Sequence, residues 1–209
     1  MMEKLDLAKA YKAYYTASTK PELVVFEPIS YVTIIGKGDP NGTIFANATE
    51  ALYTVAYGVK GHYKKLEKDF TVAKLEGQWW VDGDPRTALE VPREEWHWKL
   101  LIRMPTYVSG EVVEEARTAA MVKKKELKRI ANVGYESLNE GTCVQMLHVG
   151  PYATEPETLS QMYPYIEKNQ LRICGLHHEI YLSDPRKIEP AKMKTILRYP
   201  VEAEKVVMG

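Results

Sequence analysis

Glu179 stands in the middle of His177-His178-Glu179-Ile180-Tyr181-Leu182, whose alternation reads as a strand, and Asp184-Pro185 closes it in a turn. A carboxylate mid-strand is disfavoured by propensity and costly when buried, so it either faces water or is kept there for a purpose. Glu179 is therefore the first candidate for chemistry. The period of two puts His177, Glu179 and Tyr181 on one face and Ile180 and Leu182 on the other, where the last two are expected to meet helices as ordinary core. Burial among aromatics raises a carboxylate's pKa towards neutrality, which suits a general base. The competing structural reading pairs Glu179 with Arg103 or Arg198. A metal is not expected: His177 and Glu179 converge on one face, but no third ligand is evident. No nucleophile-His-acid motif is present, and Gly36-Lys37-Gly38 reads as a turn because the phosphate-binding glycine patterns are absent. No cofactor is called for.

The elements that must position these groups follow from composition and pattern. The chain has 209 residues with 28 basic and 28 acidic side chains, so no global charge recommends a nucleic acid or an anionic membrane. The lysine-rich end of the predicted helix Ser109 to Ile130 has acidic compensation upstream and reads as a solvated helix end. No run approaches a membrane span, and the N-terminus lacks a secretory pattern, which together predict a cytoplasmic protein. Cys143 and Cys174 have no metal or redox spacing and read as small buried hydrophobes without a disulfide. The unusual feature is aromatic: 14 Tyr and 4 Trp against 3 Phe. Rings with a polar edge suit the wall of a binding site for a flat hydrophobic small molecule better than a dry core.

After an N-terminal arm over 1–21, the order strand, helix, strand, strand appears twice, in a first module (22–108) and, after a connecting helix (109–140), in a second (141–203). The first copy is expected to turn at Gly77, between strands 69–76 and 78–82. Asp84-Pro85-Arg86 matches Asp184-Pro185-Arg186, and Ile102-Arg103-Met104-Pro105 matches Leu197-Arg198-Tyr199-Pro200. Alignment on the shared turn sets Trp79 opposite Glu179. The fold predicted is α+β: tandem duplicated strand-helix-strand-strand modules with pseudo-twofold symmetry, antiparallel sheets lining a central ligand groove, and helices outside. Trp79 and Glu179 would share that groove.

Lys74-Leu75-Glu76-Gly77-Gln78-Trp79-Trp80, Gln145-Met146-Leu147-His148-Val149-Gly150-Pro151-Tyr152, His177 to Pro185 and Lys194-Thr195-Ile196-Leu197-Arg198 resemble the GyrI-like small-molecule-binding family, over about residues 22 to 203. The resemblance implies a single domain that senses lipophilic, often cationic drugs through aromatic walls and a buried glutamate, here Glu179. Nothing before residue 22 is long enough for the DNA-binding domain of the family's regulators, so the expectation is a stand-alone member. Some stand-alone members hydrolyse the cyclopropane of DNA-alkylating natural products. The resemblance thus implies Glu179 as general base on water and a tyrosine or histidine, Tyr152 foremost, polarising the carbonyl. Trp79, Trp98, Tyr135, His148, His177 and Tyr181 would contact the ligand. The alternative is a non-catalytic drug-sequestering or topoisomerase-inhibitor-like protein. Oligomeric state is not legible.

Overall fold

The computed structural model describes residues 4–83 and 85–204, so the Asp84 turn used in the repeat alignment lies outside the described residues. In chain order the elements are β1 (Leu5–Asp6), α1 (Leu7–Ala10), β2 (Glu22–Phe26), β3 (Ile29–Lys37), α2 (Thr43–Lys65), β4 (Phe70–Thr71), β5 (Leu75–Trp80), β6 (His97–Arg103), α3 (Gly110–Lys123), β7 (Gly134–Leu138), β8 (Gly141–Val149), α4 (Glu155–Lys168), β9 (Leu171–Ile173), β10 (His177–Tyr181) and β11 (Lys194–Ala203). They fall into two compact units. One is Ile29–Leu138 with the segment ending at Tyr11; the other is Lys12–Pro28 with the chain from Asn139 onward.

The first unit is an antiparallel sheet in the order β5-β6-β3-β7. The α2 helix buries Ala48, Ala51, Leu52, Val55, Ala56 and Val59 at helical spacing against Val32, Ile34, Trp98, Leu100 and Ile102. Gly77 does not turn the chain as expected. It lies within β5, opposite Leu100, because Glu76 and Gln78 on either side continue the ladder to Leu101 and Lys99. Pairing here overrides the turn preference of glycine. The α3 helix ends at Lys123, well short of the predicted Ile130: Lys124 leaves helical geometry at φ −120°, ψ 65°, and the chain then turns to bury Leu127 and Ile130 in the core of the first unit.

The second unit is an antiparallel sheet in the order β10-β11-β8-β2, with β9 on the far end of β11. Its α4 helix presents Met162 and Ile166 to Val144, Met146, Leu197, Tyr199 and Val201. The opposite face is closed by a buried polar layer. The Arg198 guanidinium donates to Gln145 Oε1 at 2.8 and 3.2 Å and to the Tyr14 carbonyl at 3.1 Å, and stacks on the rings of Phe26 and Tyr14 at 4.1 and 4.4 Å. A desolvated guanidinium is costly, and here both its faces and its Nε and Nη2 are met while Nη1 is buried without a partner. Gln145 in turn donates to Glu22 on β2 and to the Thr16 carbonyl.

Sequential elements β3-α2-β5-β6 and β8-α4-β10-β11 thus repeat one α+β module, as predicted. The edge strands are exchanged along the chain: β2 immediately precedes β3 yet pairs with β8, and β7 immediately precedes β8 yet pairs with β3. Register also corrects the internal alignment. Arg103 faces Tyr31 and Arg198 faces Gln145, while Ile102 pairs with Leu75 and Leu197 with Glu179. The counterpart of Glu179 is therefore Leu75, two pleats before Trp79 on the same face. The longer loop of the first copy misplaces an alignment anchored on the turn.

Candidate active site

Glu179 pairs with Leu197, and directly paired residues share a face, so its side chain lies on the side that packs against α4. This reverses the expected orientation. Ile180 and Ile196 are also fully buried, so both faces of β10 are covered and apolar alternation cannot tell which one meets the helix. Arg198 is one position away on the opposite face, engaged by Gln145 and Tyr14, and Glu179 instead binds His177, whose Nε2 stands 3.1 Å from Glu179 Oε1. Since a carboxylate accepts, the imidazole proton sits on Nε2 and leaves the Nδ1 lone pair bare.

A third group completes the cluster. Glu155, in the first turn of α4, brings its carboxyl beside Glu179, and one ligand atom each from Glu155, His177 and Glu179 lie within 4.8 Å of one another. Glu155 is 8% exposed and Glu179 9%. Burial, the adjacent negative charge of Glu179 and a hydrogen bond with it push the Glu155 carboxyl well above its ordinary range. A helix N-terminus favours a carboxylate by only about 0.3–1 kcal/mol, too little to offset that burial. Glu155 is therefore the acid of the pair and shares its proton with Glu179.

The entry to α4 is built to hold Glu155 in place. Gly150 adopts φ +145°, and a Cβ there would lie 2.9 Å from Thr154 Oγ1. His148, 3% exposed, donates from Nε2 to the Pro151 carbonyl at 3.1 Å and accepts at Nδ1 from the Thr158 hydroxyl at 2.9 Å. It ties the strand end to the first turn of the helix. Around the carboxyl pair stand tyrosines. Tyr181 and Tyr152 meet edge-to-face at 5.8 Å, and Tyr199 lies 4.9 Å from the His177 ring with its hydroxyl 3.3 Å from that of Tyr163. Burial and the charges of Glu179, Glu155 and Asp184 push the Tyr152 phenol up to about 12, so it stays a hydrogen-bond donor at neutral pH. Burial and Tyr163 raise Tyr199 too. Tyr152 is 42% exposed and forms the solvent-facing rim of the cluster.

Of the residues singled out from sequence, Glu179, His177, Tyr152 and Tyr181 come together here, with His148 behind them. Trp79, Trp98 and Tyr135 lie in the first unit. Trp98 is fully buried and donates to the Gly38 carbonyl, Tyr135 donates to the Val108 carbonyl at 2.7 Å, and Trp79 is half-buried, stacked on Phe45 at 5.8 Å and edge-on to Trp96 at 6.1 Å. Sequence reasoning missed Glu155 and Tyr199. Glu155 sits 24 residues from Glu179 and reads as an ordinary acidic first-turn residue, so only the fold reveals it. Both cysteines are free, and Cys174 is exposed, contrary to expectation. No described helix is long and apolar enough to cross a membrane.

The GyrI-like small molecule binding domain model matches residues 109–201. An uncharacterized conserved protein from Listeria innocua is 39% identical over 95% of this chain and all of its own, with a TM-score of 0.87. The chain belongs to the GyrI-like family. A hydrolase from Listeria innocua is 38% identical to this GyrI-like protein over 95% of its length and the whole of the other, with a TM-score of 0.84. The EcmrR C-terminal domain, at 12% identity and a TM-score of 0.60 over 88% of this chain and 98% of its own, shares the fold. No curated protein matches this GyrI-like chain.

Proposed function

We propose that this GyrI-like protein hydrolyses hydrophobic electrophiles, foremost the strained cyclopropane of DNA-alkylating cyclopropanoids, with Glu179 as general base. The observation that carries the reading is a pair of adjacent buried carboxyls, Glu155 and Glu179, backed by His177 and rimmed by the Tyr152 phenol. Its likeness to a Listeria innocua hydrolase supports it. In the step proposed, Glu179 takes a proton from water as the water oxygen bonds to the ring carbon. The cyclopropane C–C bond breaks, and its electron pair flows through the conjugated dienone to the carbonyl oxygen. Tyr152 hydrogen-bonds that oxygen as charge grows there, and the proton held by the carboxyl pair neutralises it. One water is consumed and no oxidant is needed. An acid and a base of distinct affinity in one cluster are what this sequence requires.

Mass spectrometry of a cyclopropane-bearing alkylator after incubation with the purified protein tests the reading. Gain of one water with the native chain, and its loss in Glu179→Gln with binding retained, is the expected result. Equal turnover by Glu179→Gln would overturn the base assignment. A second reading, capture of cationic aromatics without turnover, draws on the charge of Glu179 among Tyr152, Tyr181 and Tyr199. It predicts unchanged compound co-eluting with the protein.

A further inference from the structure

Glu155, His177 and Glu179 present two carboxyls and an imidazole, a ligand set that suits first-row divalent ions. One oxygen of this set is buried without a hydrogen-bond partner: Glu155 Oε1, on a side chain more than nine-tenths buried. The nitrogen that His177 turns towards the carboxyls is Nε2, 3.1 Å from Glu179 Oε1, and it offers a lone pair there once its ring proton moves to Nδ1. Leaving a buried acceptor unmet costs about 1–3 kcal/mol, and a cation beside Glu155 removes the cost. The span also fits. Ligand atoms bound to one zinc ion at about 2.0–2.1 Å stand about 3.4 Å apart, so the three groups, within 4.8 Å, need shifts of only about an ångström. Two of the three ligands, His177 and Glu179, sit two residues apart on one strand, and Glu155 is held by the clamped first turn of α4. The set is thus carried by rigid elements.

We propose that Glu155, His177 and Glu179 form a three-ligand site for a single divalent transition-metal ion of the Zn2+ class, with remaining positions open to solvent or ligand past Tyr152. The inference rests on the geometry of the cluster and is independent of the hydrolysis proposed for it. The tyrosines supply no further ligand in this assignment; they enclose the ion and lower the local dielectric.

The test is titration of the chelator-treated full chain with Co2+ followed by visible absorption, with Zn2+ competition by calorimetry. The expected result is one saturable equivalent with an intensified ligand-field band, displaced by Zn2+. Glu155→Gln and His177→Ala should each weaken binding by about 100-fold or more, since even outer-sphere partners are worth 10–100-fold. Circular dichroism of each variant separates ligand loss from misfolding. Should His177→Ala fail to fold, the near-isosteric Glu155→Gln decides alone. Absence of a saturable band in the native chain, or equal affinity in folded Glu155→Gln, overturns the site. Turnover is read separately by mass spectrometry in chelator, so loss of the metal site leaves the test of metal-free hydrolysis standing.

Discussion

Replacing Glu155 by Gln should stabilise the protein at neutral pH while disabling its chemistry. The folded carboxyl is raised above its ordinary value of 4.5, so over a range of pH the native state holds a proton that the unfolded chain has released. Stability contributed by such a group is full below 4.5 and is lost as pH rises through the folded pKa. The groups responsible are few. Burial comes first, then Glu179, while His177 is committed to Glu179, and Tyr152 is itself raised by both glutamates and Asp184. An amide of the same shape cannot ionise and can still donate to Glu179, so the variant escapes the pH dependence. Each unit of pKa elevation is worth about 1.4 kcal/mol, and each kcal/mol moves Tm by about 2–4 °C in a chain of this size. Thermal melts of chelator-treated native protein and Glu155→Gln should coincide near pH 4 and diverge by roughly 3 °C or more by about pH 8, the variant higher. Adding Glu179→Gln to both should narrow the gap, because it removes the charge that raises Glu155. Parallel melting curves across this range would refute the shared-proton account.

Tyr152→Phe should lower turnover about 10²-fold without changing Tm by more than about 1 °C, since the hydroxyl is partly exposed and acts on the ligand; initial rates and a melt check it. Gly36→Ala should destabilise by about 1–3 kcal/mol in urea unfolding, because its Cβ would stand 2.1 Å from the fully buried Trp98 ring, which has nowhere to go. Arg198→Lys should cost about 1.5–3 kcal/mol by the same assay, since an ammonium cannot reach Gln145 and the Tyr14 carbonyl together while stacking on Phe26.

Periodicity and turn chemistry made most of the fold legible. The α4 bounds, the β10 strand and the repeated strand-helix-strand-strand order all follow from alternation and from Gly-Pro punctuation. Gly77 and the end of α3 did not, because ladder pairing and the burial of Leu127 and Ile130 are tertiary contacts that local propensity does not carry. At the site, the mid-strand acid drew attention to Glu179, yet Glu76 is also mid-strand and fully buried, so that signal alone does not select. What distinguishes Glu179 is its neighbour Glu155, and contact between residues on different elements has no period. The orientation of β10 was illegible for a related reason: a strand buried on both faces carries no amphipathic mark.

The exchanged edge strands make the covalent chain and the folding unit disagree. Excising the stretch 109–201, the part most readily recognised as a domain, would discard β2 together with Tyr14. The Arg198 guanidinium would lose both aromatic lids and its carbonyl acceptor, and Gln145 would lose Glu22. Such a fragment should aggregate or stay unfolded unless a peptide spanning 12–28 is added in trans. In the intact chain the β2–β8 register joins Glu22 to Gln145 across more than half the polypeptide, an entropic closure that grows only logarithmically with its length. Because β11 pairs with both β8 and β10 and is the last strand of its sheet in chain order, the second unit can be completed only after β11 has been synthesised, long after β2.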